Sequence, residues 1–336
     1  MSRLGLLREI VGNRESIDLL IRGRFPQTSL FTGPEGVGKK TIALLVAALK
    51  ACAAPADNEP CGACGSCVKA ASGNHPDIRL IWEEEKASIG IDKMRDFRHE
   101  VQYRPFESRA RFFVVDHAEL MTPEAANAVL KTLEEPPETA HIVLVTAFPD
   151  RIIPTVRSRC QVLRFSPLGR GEVLEYLRRR TKLDAPESRA AFSGGSLGRA
   201  ISIDIAATLS MRDRVLDLLT NWAEKPRFTT VYEHCEEGGL SGSLRKRETA
   251  VQCLELLQAL LHDVHFLQVG TPERVVSVDR MERLKSLVQP LDPRRLRMLL
   301  SRIVESKRDL ERNVNPQMSF ETLWLETSGR YGDRIY

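Results

Sequence analysis

Over the first 165 residues, short apolar runs alternate with segments whose apolar positions recur at helical spacing. Thr28-Ser-Leu-Phe-Thr32 reads as a strand running into Gly33, and Thr41 to Leu49 as the helix that follows. Asp77-Ile-Arg-Leu-Ile-Trp82 predicts a second strand, and Ile91 to Val101 a second helix. Arg111-Phe-Phe-Val-Val115 and Ile142-Val-Leu-Val-Thr146 are continuous apolar runs of the kind buried on both faces of a parallel sheet. Between them Thr122-Pro-Glu-Ala-Ala opens a helix, with Thr at the N-cap and Pro in the first turn. That rhythm predicts an α/β domain over residues 1–166. After Pro167 no strand is expected. Residues 167–207 read as a small domain of two or three short helices broken at Gly194-Gly-Ser-Leu-Gly198, and 208–336 as an all-α domain. Its Leu254, Leu257, Leu261 and Val264, then Leu296, Leu299, Leu300 and Ile303, repeat at three and four, and Glu236 to Gly242 reads as a loop.

Composition narrows the function class only a little. With 42% hydrophobic and 28% charged residues the chain has a globular profile. Its longest apolar run, Ile42 to Leu49, is far short of the roughly 18 to 20 residues a membrane span needs. The N-terminus places charges too early for a signal peptide, so a cytoplasmic location and no membrane partner are expected. A net charge of +4 permits a DNA partner without demanding one.

The first chemistry lies in Gly33-Pro-Glu-Gly36-Val-Gly38-Lys39-Lys40-Thr41, placed between a strand and a helix. Glycines let consecutive N–H groups curl inward, the helix N-terminus adds its dipole, and Lys39 reaches the β and γ phosphates. This predicts a P-loop holding ATP or ADP. The position after the lysine ordinarily carries Ser or Thr, whose hydroxyl ligates Mg²⁺, and here it is Lys40. Thr41 does not replace it, because one helical step turns a side chain by about 100°. Asp116 ends an apolar strand, where such proteins hold the cation. The Glu that orients the attacking water in hydrolytic relatives is replaced by His117, read here as a surface residue, with Glu119 too far along an extended chain to stand in. Magnesium-dependent hydrolysis is therefore not expected.

Ser158-Arg159-Cys160 follows the strand ending at Thr146. In ring-forming P-loop ATPases an arginine placed there serves the neighbouring subunit's phosphoryl group. Together with His75-Pro-Asp77, Ser88-Ile-Gly-Ile-Asp92 and Met121-Thr-Pro-Glu-Ala-Ala-Asn-Ala-Val-Leu-Lys-Thr-Leu-Glu-Glu-Pro-Pro137, these motifs make the chain resemble the AAA+ clamp-loader subunits of bacterial replicative DNA polymerase, most closely their delta-prime type. The resemblance runs through the whole chain. It implies an AAA+ core, a small helical lid and a helical collar ending around Asn313-Val-Asn-Pro and Ser319 to Leu325. It also implies a hetero-pentamer with gamma/tau motor subunits and delta, a ring-shaped sliding clamp opened by that assembly, and primer-template DNA as partner. Further, it places a sensor-1 position near Thr146, a sensor-2 arginine near Arg199, and an adenine-lining segment at Ile10-Val-Gly12. Arg159 is then an arginine finger acting in trans on a neighbour within the polymerase holoenzyme. The alternatives are an ATP-hydrolysing gamma/tau-like motor and a free-standing zinc-bearing nucleic-acid binder.

Four of the seven cysteines fall together at Cys52, Cys61, Cys64 and Cys67. Two CxxC steps sharing Cys64 have the bite of a structural zinc knuckle, with Cys52 as the fourth thiolate, so one zinc per chain is expected. Cys160, Cys235 and Cys253 read as core residues. Arg95, Arg98, Arg104, Arg109 and Arg111, interleaved with Tyr103 and Phe106, read chiefly as a solvated face, with DNA contact as the sharper possibility.

Overall fold

In the computed structural model, which describes residues 10–22, 25–82, 88–225, 246–312 and 314–328, five strands form one parallel sheet. They are β1 (Thr28–Thr32), β2 (Ile78–Ile81), β3 (Arg111–Val115), β4 (Ala140–Thr146) and β5 (Gln161–Arg164), in the order β2-β3-β4-β1-β5. The helices between them are α1 (Arg14–Arg22), α2 (Lys39–Ala51), α3 (Gly65–Ala71), α4 (Ile91–Val101), α5 (Pro123–Glu134) and α6 (Pro154–Arg157). The two-residue period of the strands divides their side chains between two cores. Phe31, Phe112, Val114, Val143 and Val145 pack with Ile42 and Val46 of α2 on one face. Leu30, Phe113, Val115, Ile142 and Leu144 pack with Met94 and Phe97 of α4 and Val129 of α5 on the other. Each of these aliphatic and aromatic side chains, fully removed from water, contributes on the order of 1.5–3 kcal/mol before entropy is subtracted.

The sequence reading named four of these strands and passed over β5. The reason is visible in its burial: only Leu163 of Gln161-Val-Leu-Arg164 is buried, so this edge strand lacks the continuous apolar run of the inner ones. Thr122 caps α5 as expected, its hydroxyl accepting from Ala125 N–H at 3.2 Å.

Beyond the sheet come α7 (Arg170–Arg180), α8 (Pro186–Phe192) and α9 (Leu197–Ser202), with a small core of Leu168, Val173, Leu177, Ala190 and Ala200. Arg189 is buried at its centre, donating to the carbonyls of Asp184, Ala200, Ile201 and Ile203. The chain divides into two compact units at Ile203/Asp204.

The second unit is helical, opening with α10 (Ile205–Glu224), whose N-cap Asp204 accepts from Ala207 N–H at 3.0 Å. Leu254, Leu257, Leu261 and Val264 are buried along helix Arg247–Gln268, and Leu296, Leu299 and Ile303 along Pro293–Glu311, as their spacing predicted. Trp222 packs on Trp324 of the last helix with ring centroids 5.5 Å apart. Buried Arg212 is held bidentate by Asp279 at 2.7 and 2.8 Å, and Asp213 joins it to Arg280. The expected loop at 236–242 and Cys235 lie outside the described residues, whereas Cys160 and Cys253 are buried. Among the described residues no helix is long and apolar enough to cross a membrane.

Candidate nucleotide and metal sites

The phosphate loop leaves β1, an inner strand between β4 and β5, and enters α2. Gly33, Gly36 and Gly38 all have positive φ, at 145°, 72° and 94°. A Cβ at Gly33 would stand 2.1 Å from Phe165 O, and one at Gly36 would stand 2.2 Å from Ser196 Oγ, so side chains are excluded at both turns. Lys39 is buried, and its ammonium donates to Gly33 O at 2.6 Å and Pro34 O at 2.7 Å. Burial pushes this lysine below its ordinary range, against the opposing pull of Glu119, Asp116 and Glu35.

Lys40 points at the acidic strand end. Its Nζ lies 2.8 Å from Asp116 Oδ2 and 4.7 Å from the centre of the Trp82 ring. An ammonium thus already neutralises the carboxylate that would hold a divalent ion. Thr41 is exposed, one helical step away.

His117, expected at the surface, is half-exposed and also packs against its neighbours at the strand end. It is left-handed, with φ 51° and ψ 47°, its side chain is 34% exposed, and its ring stacks on Trp82 at 6.0 Å. Its Nε2 is 4.0 Å from Asp116 Oδ2 and its Nδ1 is 3.5 Å from Glu119 Oε1. The left-handed residue and the 3₁₀ turn Ala118–Leu120 reverse the chain, so Glu119 is not carried away along an extended path as the spacing suggested. Its side chain is only 2% exposed, and its Oε2 has no hydrogen-bond partner. Glu119 and Trp82 are the members of this site that sequence reasoning missed. Trp82 had a readable signal, as the last residue of a predicted strand beside the acidic one.

Thr146 is buried at the end of β4, and its hydroxyl accepts from Phe148 N–H at 2.9 Å. The start of α9 comes directly onto the loop: Gly198 N–H donates to Gly36 O at 3.0 Å, and a Cβ at Gly198 would stand 3.0 Å from Gly36 Cα. The residue against the phosphate loop is therefore Gly198. Arg199 follows it, its own N–H bonded to Ser196 Oγ at 3.1 Å. In the Ile10-Val-Gly12 segment, Ile10 packs against the sheet core, Val11 packs against the small core of α7 to α9, and Gly12 meets Leu168.

Arg159 has partners outside the loop. Nε and Nη2 reach Glu134 Oε2 at 2.9 Å, Nη1 donates to Thr155 O at 3.0 Å, and the side chain remains 31% exposed.

The four cysteines converge as their spacing implied. All four sulfurs lie within 4.8 Å of one another, with Cys52–Cys64 and Cys61–Cys67 both at 3.9 Å. Tetrahedral thiolates at a Zn–S distance of about 2.3 Å are separated by about 3.8 Å, so the set fits zinc. Backbone N–H groups of Cys61, Cys64 and Cys67 point at the sulfurs of Cys52, Cys61 and Cys64. Such bonds, led by the one from Ala53, pull the Cys64 thiol down to about 6. A metal there would be closed off by four ligands and would hold the 52–67 loop onto α3.

The arginine face is corrected in one member. Arg111 is buried, bonding the carbonyls of Glu100 and Pro76 and lying 5.1 Å from the Phe113 ring, so it is structural. Arg95, Arg98, Arg104 and Arg109 are exposed, as are Tyr103 and Phe106.

Comparison with known proteins adds the following. A family model described as DNA polymerase III, delta subunit matches residues 16–169, and one described as its C-terminal part matches 241–328. The DNA polymerase III subunit delta' of Bacillus subtilis is 28% identical over 314 residues, covering 90% of this chain and 91% of that one. The subunit delta' of Pseudomonas aeruginosa is 36% identical over 180 residues, 52% of this chain and 55% of that one. The subunit gamma/tau of Mycobacterium tuberculosis is 38% identical over 137 residues, which are 41% of this chain and only 24% of that longer protein.

Proposed function

Because the chain belongs to the DNA polymerase III delta' family of clamp-loader subunits, we propose that it works as the assembly's non-hydrolysing stator and supplies Arg159 to a neighbour. The observation that carries this reading is the Lys40–Asp116 pair at 2.8 Å, which occupies with protein the place a hydrolytic site gives to Mg²⁺. A site whose acidic residue is paired with a lysine and followed by His117 is a poor ATPase. Arg159, tethered to Glu134 and partly exposed, is available to a phosphoryl group on another subunit. In this reading the partners are gamma/tau motors and delta in a hetero-pentamer, a sliding clamp acted on through them, and primer-template DNA, all in the cytoplasm. Arg98, Arg104 and Arg109 are its candidates for sequence-independent phosphate contacts. The division of labour is a core to 166, a lid to 207 and a collar beyond, with Thr146 and Arg199 as sensors of the loop's occupant and Cys52, Cys61, Cys64 and Cys67 around one structural zinc.

The test has two parts. The chain alone, with excess Mg²⁺ and primed DNA, should hydrolyse no ATP above background. In the reconstituted complex Arg159→Ala should leave assembly intact and slow the neighbouring site by roughly 10³-fold or more, without rescue by Arg159→Lys. Unchanged turnover overturns the finger. For the metal, one zinc per chain should survive dialysis and be lost in Cys64→Ser, measured by elemental analysis.

One observation favours the second reading, a gamma/tau-like motor. Glu119 folds back beside His117 and Asp116, where a carboxylate could orient water. Turnover by the isolated chain, abolished by both Lys39→Ala and Glu119→Gln, would establish that reading instead.

A further inference from the structure

The phosphate loop carries two ammonium groups where most carry one, and the structure gives them separate tasks. Lys39 spends two of its three donors on Gly33 O and Pro34 O, which fixes the ammonium within the loop and leaves one donor for a ligand. Lys40 spends one donor on Asp116 Oδ2, and its side chain is 38% exposed, so further donors face solvent. A divalent ion at Asp116 would have to displace that ammonium, and position 40 has no hydroxyl to offer it in exchange.

Building on the reading that this loop takes a nucleotide, we propose that Lys40 is a permanent replacement for the divalent cation and that the loop binds a nucleoside diphosphate without metal. The charge balance selects the diphosphate. Mg²⁺ bridges β and γ oxygens with two positive charges. An ammonium supplies one charge, half that of the cation, as a compact point donor. With Lys40 already paired to Asp116, the site offers less positive charge than one holding Mg²⁺, so each added phosphate is neutralised less completely and the γ-phosphate least of all. The smaller charge of the diphosphate therefore suits this site better than the triphosphate, whose extra group meets no added cation.

Trp82 reports on this event. Of the three tryptophans, Trp222 and Trp324 are 1% and 0% exposed, whereas Trp82 lies under the Lys40 ammonium. The full chain is titrated with ADP and with ATP, in EDTA and in excess Mg²⁺, reading tryptophan fluorescence and, independently, equilibrium dialysis. The affinity for ADP should agree within twofold between EDTA and Mg²⁺, and ATP should bind no tighter than ADP in EDTA. Lys40→Thr should weaken ADP at least tenfold in EDTA and recover in Mg²⁺, because the new hydroxyl restores the metal site. Lys40→Met, which keeps the stem over Trp82, should be weak in both, with thermal melts checking that each variant folds. Tenfold tighter ADP binding by the wild type in Mg²⁺ overturns the proposal, as does unaltered ADP binding by Lys40→Thr in EDTA. Absence of binding in every buffer also overturns it, while the Arg159 reading, measured on the neighbour's turnover, stands or falls separately.

Discussion

Two carboxylates of the α/β unit are equally removed from water and live in opposite surroundings. Asp77 is fully buried and accepts from the N–H groups of Phe106, Glu107 and Ser108 at 2.8, 2.9 and 2.9 Å and from Ser108 Oγ at 2.9 Å, with Arg111 Nε 3.7 Å away. Glu119 has a histidine nitrogen at 3.5 Å on one oxygen and nothing on the other. A buried charge whose lone pairs are all engaged is a fastener: it holds a loop in place and has little field left over. A buried charge with an unengaged oxygen keeps its field for its surroundings, which here means Lys39, the residue whose protonation Glu119 supports most strongly among its neighbours. The difference separates the part of the unit that is scaffold from the part that faces the candidate nucleotide site.

The largest effect should come from breaking the fastener. Asp77→Ala removes the counter-charge of Arg111, strands three backbone donors and should cost about 3–5 kcal/mol, measured by urea unfolding. A loss under about 1 kcal/mol would put Asp77 on the same footing as Glu119. Acid sharpens the contrast. Burial alone would raise the Asp77 carboxyl, but the N–H bonds from Glu107, Phe106 and Ser108 hold it below its ordinary value. A carboxylate depressed in the folded state stabilises above its unfolded pKa, about 4, and that contribution is lost as pH falls through the folded value. The stability gap between wild type and Asp77→Ala should therefore be constant near neutrality and shrink in acid. A gap that stays flat to pH 2 would contradict it. The smallest effect is expected of Glu119→Gln. With few bonds to lose, stability should move by less than about 1 kcal/mol, while nucleotide affinity, read by the Trp82 signal, should change.

Much of this was legible along the chain, and the rest was hidden for identifiable reasons. Inner strands such as Phe112 to Val115 declare themselves because both of their faces are apolar and buried. Gln161 to Arg164 does not, because an edge strand with one buried residue has the same pattern as a loop. The cysteine set could be read from spacing alone, since four thiolates in sixteen residues restrict one another. Glu119 could not, because its position depends on a single left-handed residue, and His117 carries no sequence mark of that conformation. Arg111 was counted with a basic surface because charge is visible in a sequence and burial is not.

The tether of Arg159 has a kinetic consequence. A guanidinium resting on a carboxylate that is itself 57% exposed leaves a partner worth about 0.2–1 kcal/mol, close to thermal energy. Transfer to a more highly charged anion is then nearly barrierless on that account. Meanwhile the resting pair has already removed part of the roughly 2 kcal/mol of rotamer entropy that an untethered arginine would lose on docking. In the proposed role of Arg159, Glu134 would act as a holster, keeping the side chain aimed and giving it up quickly, so that neither searching nor unpairing would limit how fast the residue engages.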